Sequence, residues 1–413
     1  MTIQNKLFCY SCINSPRTRV GRRAASAPRS IGSRWALAAI GLAVLAGEAG
    51  AIPYYGRGRG LSCTDCHTAG PRLNARGEEF LAMVYRRRAP GRAGPAGEFP
   101  ISAWITGRHE DRSAGNIEKT YVPKLELMSG GPIGEGTSSY FVEWRVVSLD
   151  VRGNGTLRDR GGRFEDALVN WDLGEGHALR VGQFRALNQY DVSLRLSVSE
   201  PTVFATALPG EASRDARIAG LRGFAPAGRS PGIAYTYQSI QGAAASEGLF
   251  HVVTVPFVGE LSLPLSEEAR REASFELEGP PKGVFLETYY RRKHGSIGAH
   301  AFLGENRRLL MGVGRVQSGD FSATAALGFD DAAGRASRTR HSLELEYLST
   351  RSERFRRGAG FRVEQITRAG RDPAYVPYLV FAGPNDRHTL LLQIEARFQG
   401  SARTVLIDLS ALF

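Results

Sequence analysis

The sequence predicts an all-β fold: a closed, antiparallel transmembrane barrel of about sixteen strands behind a short non-barrel segment. Three observations predict it. Among 413 residues there are 49 glycines and 20 prolines, which argues against long helices. From about Phe99 to Phe413, stretches of roughly 8 to 12 residues alternate apolar and polar side chains between turn signals such as GG, DD, GR and PN. The chain also begins with an export signal. A soluble sandwich would produce alternation too, but it accounts less well for some 15 to 18 short strands in uninterrupted series. A closed barrel places every apolar face in lipid and satisfies every backbone group by ring closure.

Residues 1–51 read as a signal peptide. A basic region is followed by the apolar run WALAAIGLAVLAG from Trp35 to Gly47 and a small-residue cleavage site at Ala49–Ala51. Retention as a membrane anchor is the alternative, but the run falls short of the roughly 20 apolar residues that span a bilayer. Lys6, Arg17, Arg19, Arg22, Arg23, Arg29 and Arg34 face the single acid Glu48 in this region, so cleavage removes about half of the formal charge of +12. The remaining positive charge is scattered, which excludes a nucleic-acid binder as the leading class.

Residues 52–97 form a Gly-, Arg- and Pro-rich segment. Its one periodic stretch, ARGEEFLAMVY at Ala75–Tyr85, predicts a helix with Phe80, Leu81 and Val84 on one side, and RRRAPGRAGPAG ends it as a linker.

Residues 98–413 supply the barrel. Candidate strands fall at 99–108, 119–129, 138–150, 163–173, 177–186, 214–224, 231–241, 247–257, 268–278, 283–294, 296–304, 306–317, 319–329, 338–350, 357–367, 374–382, 386–398 and 402–413. In HSLELEYL, Leu343, Leu345 and Tyr347 oppose Glu344 and Glu346. In HTLLLQIEARFQG, Leu390, Leu392, Ile394, Ala396 and Phe398 oppose Leu391, Gln393, Glu395 and Arg397. In a barrel, Glu143, Arg145, Glu344, Glu346, Glu395 and Arg397 then line the lumen.

The segment SCTDCHTAGPRLN carries the most specific chemistry. Cys63, Cys66 and His67 have the spacing for covalent haem c: two thiols add to the porphyrin vinyls while the adjacent histidine ligates the iron. A zinc half-site or a disulfide are the alternatives. Zinc needs further ligands, and Cys9 and Cys12, the other two cysteines, fall within the signal. Met83, on the expected helix, is the first candidate for the distal iron position, followed by His109 and Met128 at the first strands; an open iron is the remaining choice. Arg57, Arg59, Arg72 and Arg76 are placed to pair with haem propionates or simply to be solvated.

Cys63, Cys66 and His67, followed by Pro71, Leu73, Asn74, Gly77 and Phe80 in a P-x-L-N-x-x-G-x-x-F pattern, resemble the fused outer-membrane cytochrome-porins of bacterial iron oxidisers. LELMSGGPIGEGTSSYFVEW (125–144) and LRVGQF (179–184) also resemble early barrel strands of that family. The resemblance implies a haem segment held in the lumen. It further implies electron transfer across the outer membrane, from extracellular Fe(II) or another reductant to periplasmic carriers such as soluble cytochromes. A bilayer core of about 30 Å is too thick for one efficient tunnelling step, and a segment this short lacks a core of its own, so lodging it in a barrel answers both needs. The alternative function is a diffusion porin with a structural or regulatory haem segment. A peroxidase-like enzyme is a further rival, with no acid-base constellation beyond His109 to support it.

Overall fold

The computed structural model describes residues 67–69, 72–74, 77–78, 101–133, 137–189, 195–199, 201–204, 228–242, 247–257, 267, 283–305, 307–332, 336–349, 355–367, 372–383 and 389–412. The export signal, Cys63, Cys66 and Met83 lie outside them, as do the expected strands at 214–224 and 268–278.

A short hairpin comes first, β1 (His67–Ala69) and β2 (Arg72–Leu73), pairing His67 with Leu73 and Ala69 with Arg72. Just beyond it Asn74 caps a helical turn: its Oδ1 accepts the Gly77 N–H at 2.9 Å and its carbonyl the Glu78 N–H at 2.8 Å. The rest of the expected helix lies outside the described residues.

The barrel is built from β3 (Ser102–Arg112), β4 (Ile117–Ile133), β5 (Ser138–Val151), β6 (Leu157–Asp159), β7 (Arg163–Gly174), β8 (His177–Arg185), β9 (Arg229–Gln241) and β10 (Gly248–Pro256). It continues with β11 (Gly283–Arg292), β12 (Gly295–Gly304), β13 (Arg307–Ser318), β14 (Phe321–Ala332), β15 (Arg338–Leu348), β16 (Arg356–Ile366), β17 (Ala374–Gly383), β18 (Thr389–Gln399) and β19 (Ala402–Leu412). Apart from β6, a three-residue piece on the edge of β5, these are sixteen antiparallel strands in a closed ring. The seam runs between first and last: Leu412 pairs with Trp104 and Thr404 with Arg112. Side chains reinforce it, with Arg108 bidentate on Asp408 at 2.7 Å and the Thr106 and Ser410 hydroxyls 2.8 Å apart.

Period-two patterning decides which side each residue takes. In β15, Arg340, Ser342, Glu344, Glu346 and Leu348 are buried on the inner side. Leu343, Leu345 and Tyr347 are exposed on the outer one, Leu345 at 51%. The same alternation puts Leu310 and Val316 of β13, Phe321, Leu327 and Phe329 of β14, and Leu379 and Phe381 of β17 on the outside. Large apolar side chains that are exposed strand after strand form a band that only lipid covers without penalty. Strands of 10 to 12 residues such as β11 and β14 match the roughly 9 to 11 tilted residues that cross a bilayer. The protein is therefore an outer-membrane barrel. No described helix is long and apolar enough to cross a membrane.

The sixteen strands correspond one for one to the expected stretches apart from the two outside the described residues. Their ends differ where pairing outruns alternation. β4, expected at 119–129, keeps pairing from Ile117, opposite Arg112, to Ile133, opposite Ser138.

Candidate functional site: the barrel lumen

The inner rows are rich in charge, and much of it is paired along and across the strands. Asp330 sits between two arginines: Arg307 Nε donates to it at 2.9 Å from one neighbouring strand, and Arg340 Nη2 from the other. On β16, Arg362 Nε donates to Glu364 Oε1 at 2.6 Å, and Arg397 Nη1 of β18 reaches Glu364 Oε2 at 2.7 Å. Lumenal positions for Glu143, Arg145, Glu344, Glu346, Glu395 and Arg397 follow the alternation.

Across the ring, Glu126, Glu143 and Glu165 bring carboxylate oxygens within 4.8 Å of one another. Cations already meet them. Lys124 Nζ lies 2.8 Å and Arg145 Nη2 2.7 Å from Glu126. Arg145 is also 3.0 Å from Glu165, and Arg229 pairs with Glu165 and lies 3.3 Å from Glu143. With its negative charge offset in this way, the group is an ion-pair network of the wall rather than a metal centre.

In the connection from β8 to β9, the described residues 186–189, 195–199 and 201–204 lie against the inner wall. Ala186, Leu187, Val203 and Phe204 pack on Phe285, Phe302, Leu309, Met311, Val313 and Ala326, while Leu196 packs on Leu348, Tyr378, Val380, Ala382 and Leu391. A backbone away from water needs partners for its amides and carbonyls, and the wall supplies them. Glu287 accepts the Asn188 N–H at 2.9 Å and the Asn188 amide at 2.6 Å. Gln189 donates to the Val313 carbonyl at 2.8 Å, and its Oε1 lies 2.6 Å from His300 Nε2. Arg291 Nη2 donates to the carbonyls of Asn188 and Gln189 at 3.1 and 3.0 Å. Further along, Glu395 Oε2 accepts the Val198 and Ser199 N–H groups at 2.8 and 3.1 Å, Gln393 donates to the Leu196 carbonyl at 2.7 Å, and Arg362 reaches Ser197 Oγ and Ser199 Oγ at 2.8 and 2.7 Å. The connection is thereby fastened to the inside of β11 through β18.

The N-terminal hairpin also reaches the wall. Arg72, 2% exposed, donates from Nη2 to Ser322 Oγ at 3.1 Å and places Nη1 3.5 Å from Glu346. Glu78 accepts from Arg315 Nη1 at 3.1 Å.

The predicted haem residues are distributed as follows. His67 opens β1 and pairs through its backbone with Leu73; Cys63, Cys66 and Met83 lie outside the described residues. His109 sits in the outward row of β3, opposite Ile407, with Nδ1 3.0 Å from Thr120 Oγ1. Met128 is opposite Glu143 on β4. The described residues do not bring these candidates together. No sequence-based expectation covers residues 187–204. Val192, Leu194, Leu196 and Val198 alternate there with Ser193, Arg195, Ser197 and Ser199, a strand-like signal, yet at 195–199 the chain makes no strand and spends its backbone groups on wall side chains.

No family model and no curated protein matches the chain. Among solved structures, an anion-selective porin from Comamonas acidovorans is 10% identical, covers 76% of this chain and 98% of its own, and has a TM-score of 0.49. The outer membrane channel DcaP of Acinetobacter baumannii is also 10% identical, with 76% and 96% covered and a TM-score of 0.48. Salmonella typhi OmpF, in complex with daunomycin, is 12% identical, with 76% and 97% covered and a TM-score of 0.48. The matches are porins and channels, and on that finding the expected membership of the cytochrome-porins is corrected. Haem-based electron transfer across the outer membrane, with its cytochrome and iron-oxidising roles, is corrected with it. The physical reason the sequence misled is that a C-x-x-C-H and its following pattern occupy few residues, whereas the wall and its inward connection make up most of the described chain. What the chain is similar to is a porin-type barrel.

Proposed function

We propose that the chain is a diffusion channel of the outer membrane, with a bore narrowed by residues 186–189, 195–199 and 201–204 of the inward connection. The observation that carries this reading is the fastening of that connection to the inner wall by Glu287, Arg362 and Glu395. A charged, hydrogen-bonding interior suits water and small polar solutes, while the apolar exterior suits lipid. The channel reading needs no periplasmic cytochrome and no Fe(II) as partner.

The C-x-x-C-H remains a separate proposal. Its two thiols and adjacent histidine are the donor set of a covalent haem, which here acts as a structural or regulatory group of a segment at 52–97, after cleavage of 1–51 and ahead of the barrel at 98–413. A haem stain of the denatured, purified protein tests the attachment. Loss of the stain in Cys63→Ala/Cys66→Ala is the expected result, and an unstained wild-type protein overturns it. The channel itself is tested by swelling of proteoliposomes in small sugars. Swelling supports the reading, and impermeable liposomes that contain folded barrel refute it.

A further inference from the structure

We propose that Glu346 is a shared anchor that makes the position of the inward connection depend on whether the N-terminal hairpin is seated. It is a positioning residue for the channel and deepens that reading, but its principal test does not require conduction.

Both oxygens of this one carboxylate are committed, and to different parts of the chain. Oε1 accepts the Leu196 N–H of the inward connection at 2.9 Å and lies 2.9 Å from the Tyr378 hydroxyl of β17. Oε2 accepts the Ser322 hydroxyl of β14 at 2.9 Å and lies 3.5 Å from Arg72 Nη1 of the hairpin, while Arg72 Nη2 donates to the same Ser322 at 3.1 Å. The Arg72 and Glu346 side chains are 2% and 4% exposed.

Glu346 also has a like-charged neighbour. Glu344 lies two residues away on the same inner row, and the Tyr378 hydroxyl lies 2.8 Å from Glu344 Oε1 as well. Arg362 lies 3.4 Å from Glu344 and also holds Ser197 and Ser199. Withdrawing Arg72 therefore removes a cation from beside a pair of buried carboxylates. Removing one partner of a buried ion pair is costly because the other stays charged and buried. The cheapest relief moves Arg362 toward the carboxylates and away from the connection, so release of the hairpin loosens residues 195–199. Buried polar networks of this kind couple their members, so a change at one is felt at the others.

The test is hydrogen–deuterium exchange of the full mature protein in detergent, followed on peptides covering 195–199. Arg72→Ala is expected to speed exchange there by about tenfold or more, as local opening does, and Arg72→Lys to keep it near wild type. In channel recordings the same Arg72→Ala is expected to raise and destabilise the conductance, and adding Glu346→Gln is expected to do little more, because both changes cut the same link. Heat-modifiable migration on gels verifies that each variant is a folded barrel, and Arg72→Lys supplies the folded comparison if Arg72→Ala is lost. Unchanged exchange at 195–199 in Arg72→Ala, alongside freed exchange at 72–78, overturns the coupling. A wild-type protein that does not conduct defeats the channel reading alone.

Discussion

Glu395→Ala isolates the fastening of the inward connection at one point. The Glu395 carboxylate is 1% exposed and accepts two backbone N–H groups, from Val198 at 2.8 Å and Ser199 at 3.1 Å. Hydrogen bonds to charged groups contribute about 1.5 to 3 kcal/mol each, so the pair holds this part of the connection by about 3 to 6 kcal/mol. At about 1.4 kcal/mol per tenfold, its loss shifts the local opening equilibrium by roughly a hundredfold to ten-thousandfold. Glu395→Gln keeps an acceptor oxygen and is expected to retain most of the fastening. The assay is single-channel recording in planar bilayers. Glu395→Ala should widen the distribution of conductance states and raise their mean, and Glu395→Gln should resemble wild type. Identical recordings from all three proteins would refute the role assigned to the connection, since its attachment would then have no effect on the bore.

Other expectations concern the wall. Asp330→Ala leaves Arg307 and Arg340 without their shared carboxylate; a loss of about 3 to 5 kcal/mol is expected, seen as a lower urea midpoint of the folded barrel. Gly360→Ala would drive a Cβ into the Tyr378 ring, which lies across this glycine. Tyr378 must then leave Glu344 and Glu346, a destabilisation of about 1 to 3 kcal/mol that unfolding curves would register. Leu345→Arg, on the outer face between residues that point inward, should cost about 2 to 4 kcal/mol at mid-membrane, read as slower and less complete folding into liposomes.

Much of the wall was legible because period-two alternation is a local signal with a single physical cause. Leu343, Glu344, Leu345 and Glu346 announce their sides without reference to any partner, and the ladder then places them as announced. The inward connection was not legible in the same way. Leu196 and Val198 alternate with Ser197 and Ser199 much as a strand would, but the partners of that backbone are Glu346, Gln393 and Glu395, roughly 150 to 200 positions away in sequence, and only closure of the ring brings them near. The His109 side chain illustrates a similar limit. Its flanking charges suggest a polar setting, whereas register places it on the outer side opposite Ile407. A C-x-x-C-H, in turn, specifies donor chemistry at three positions and carries no information about the barrel that follows.

The most direct test of the central claim is conductance of the purified, folded protein in a planar lipid bilayer, paired with solute flux into liposomes from the same preparation. An open aqueous bore predicts stepwise, ohmic current increments and entry of small sugars, with both widened by Glu395→Ala. A correctly folded barrel that inserts yet leaves the bilayer electrically silent and the liposomes sealed would contradict it.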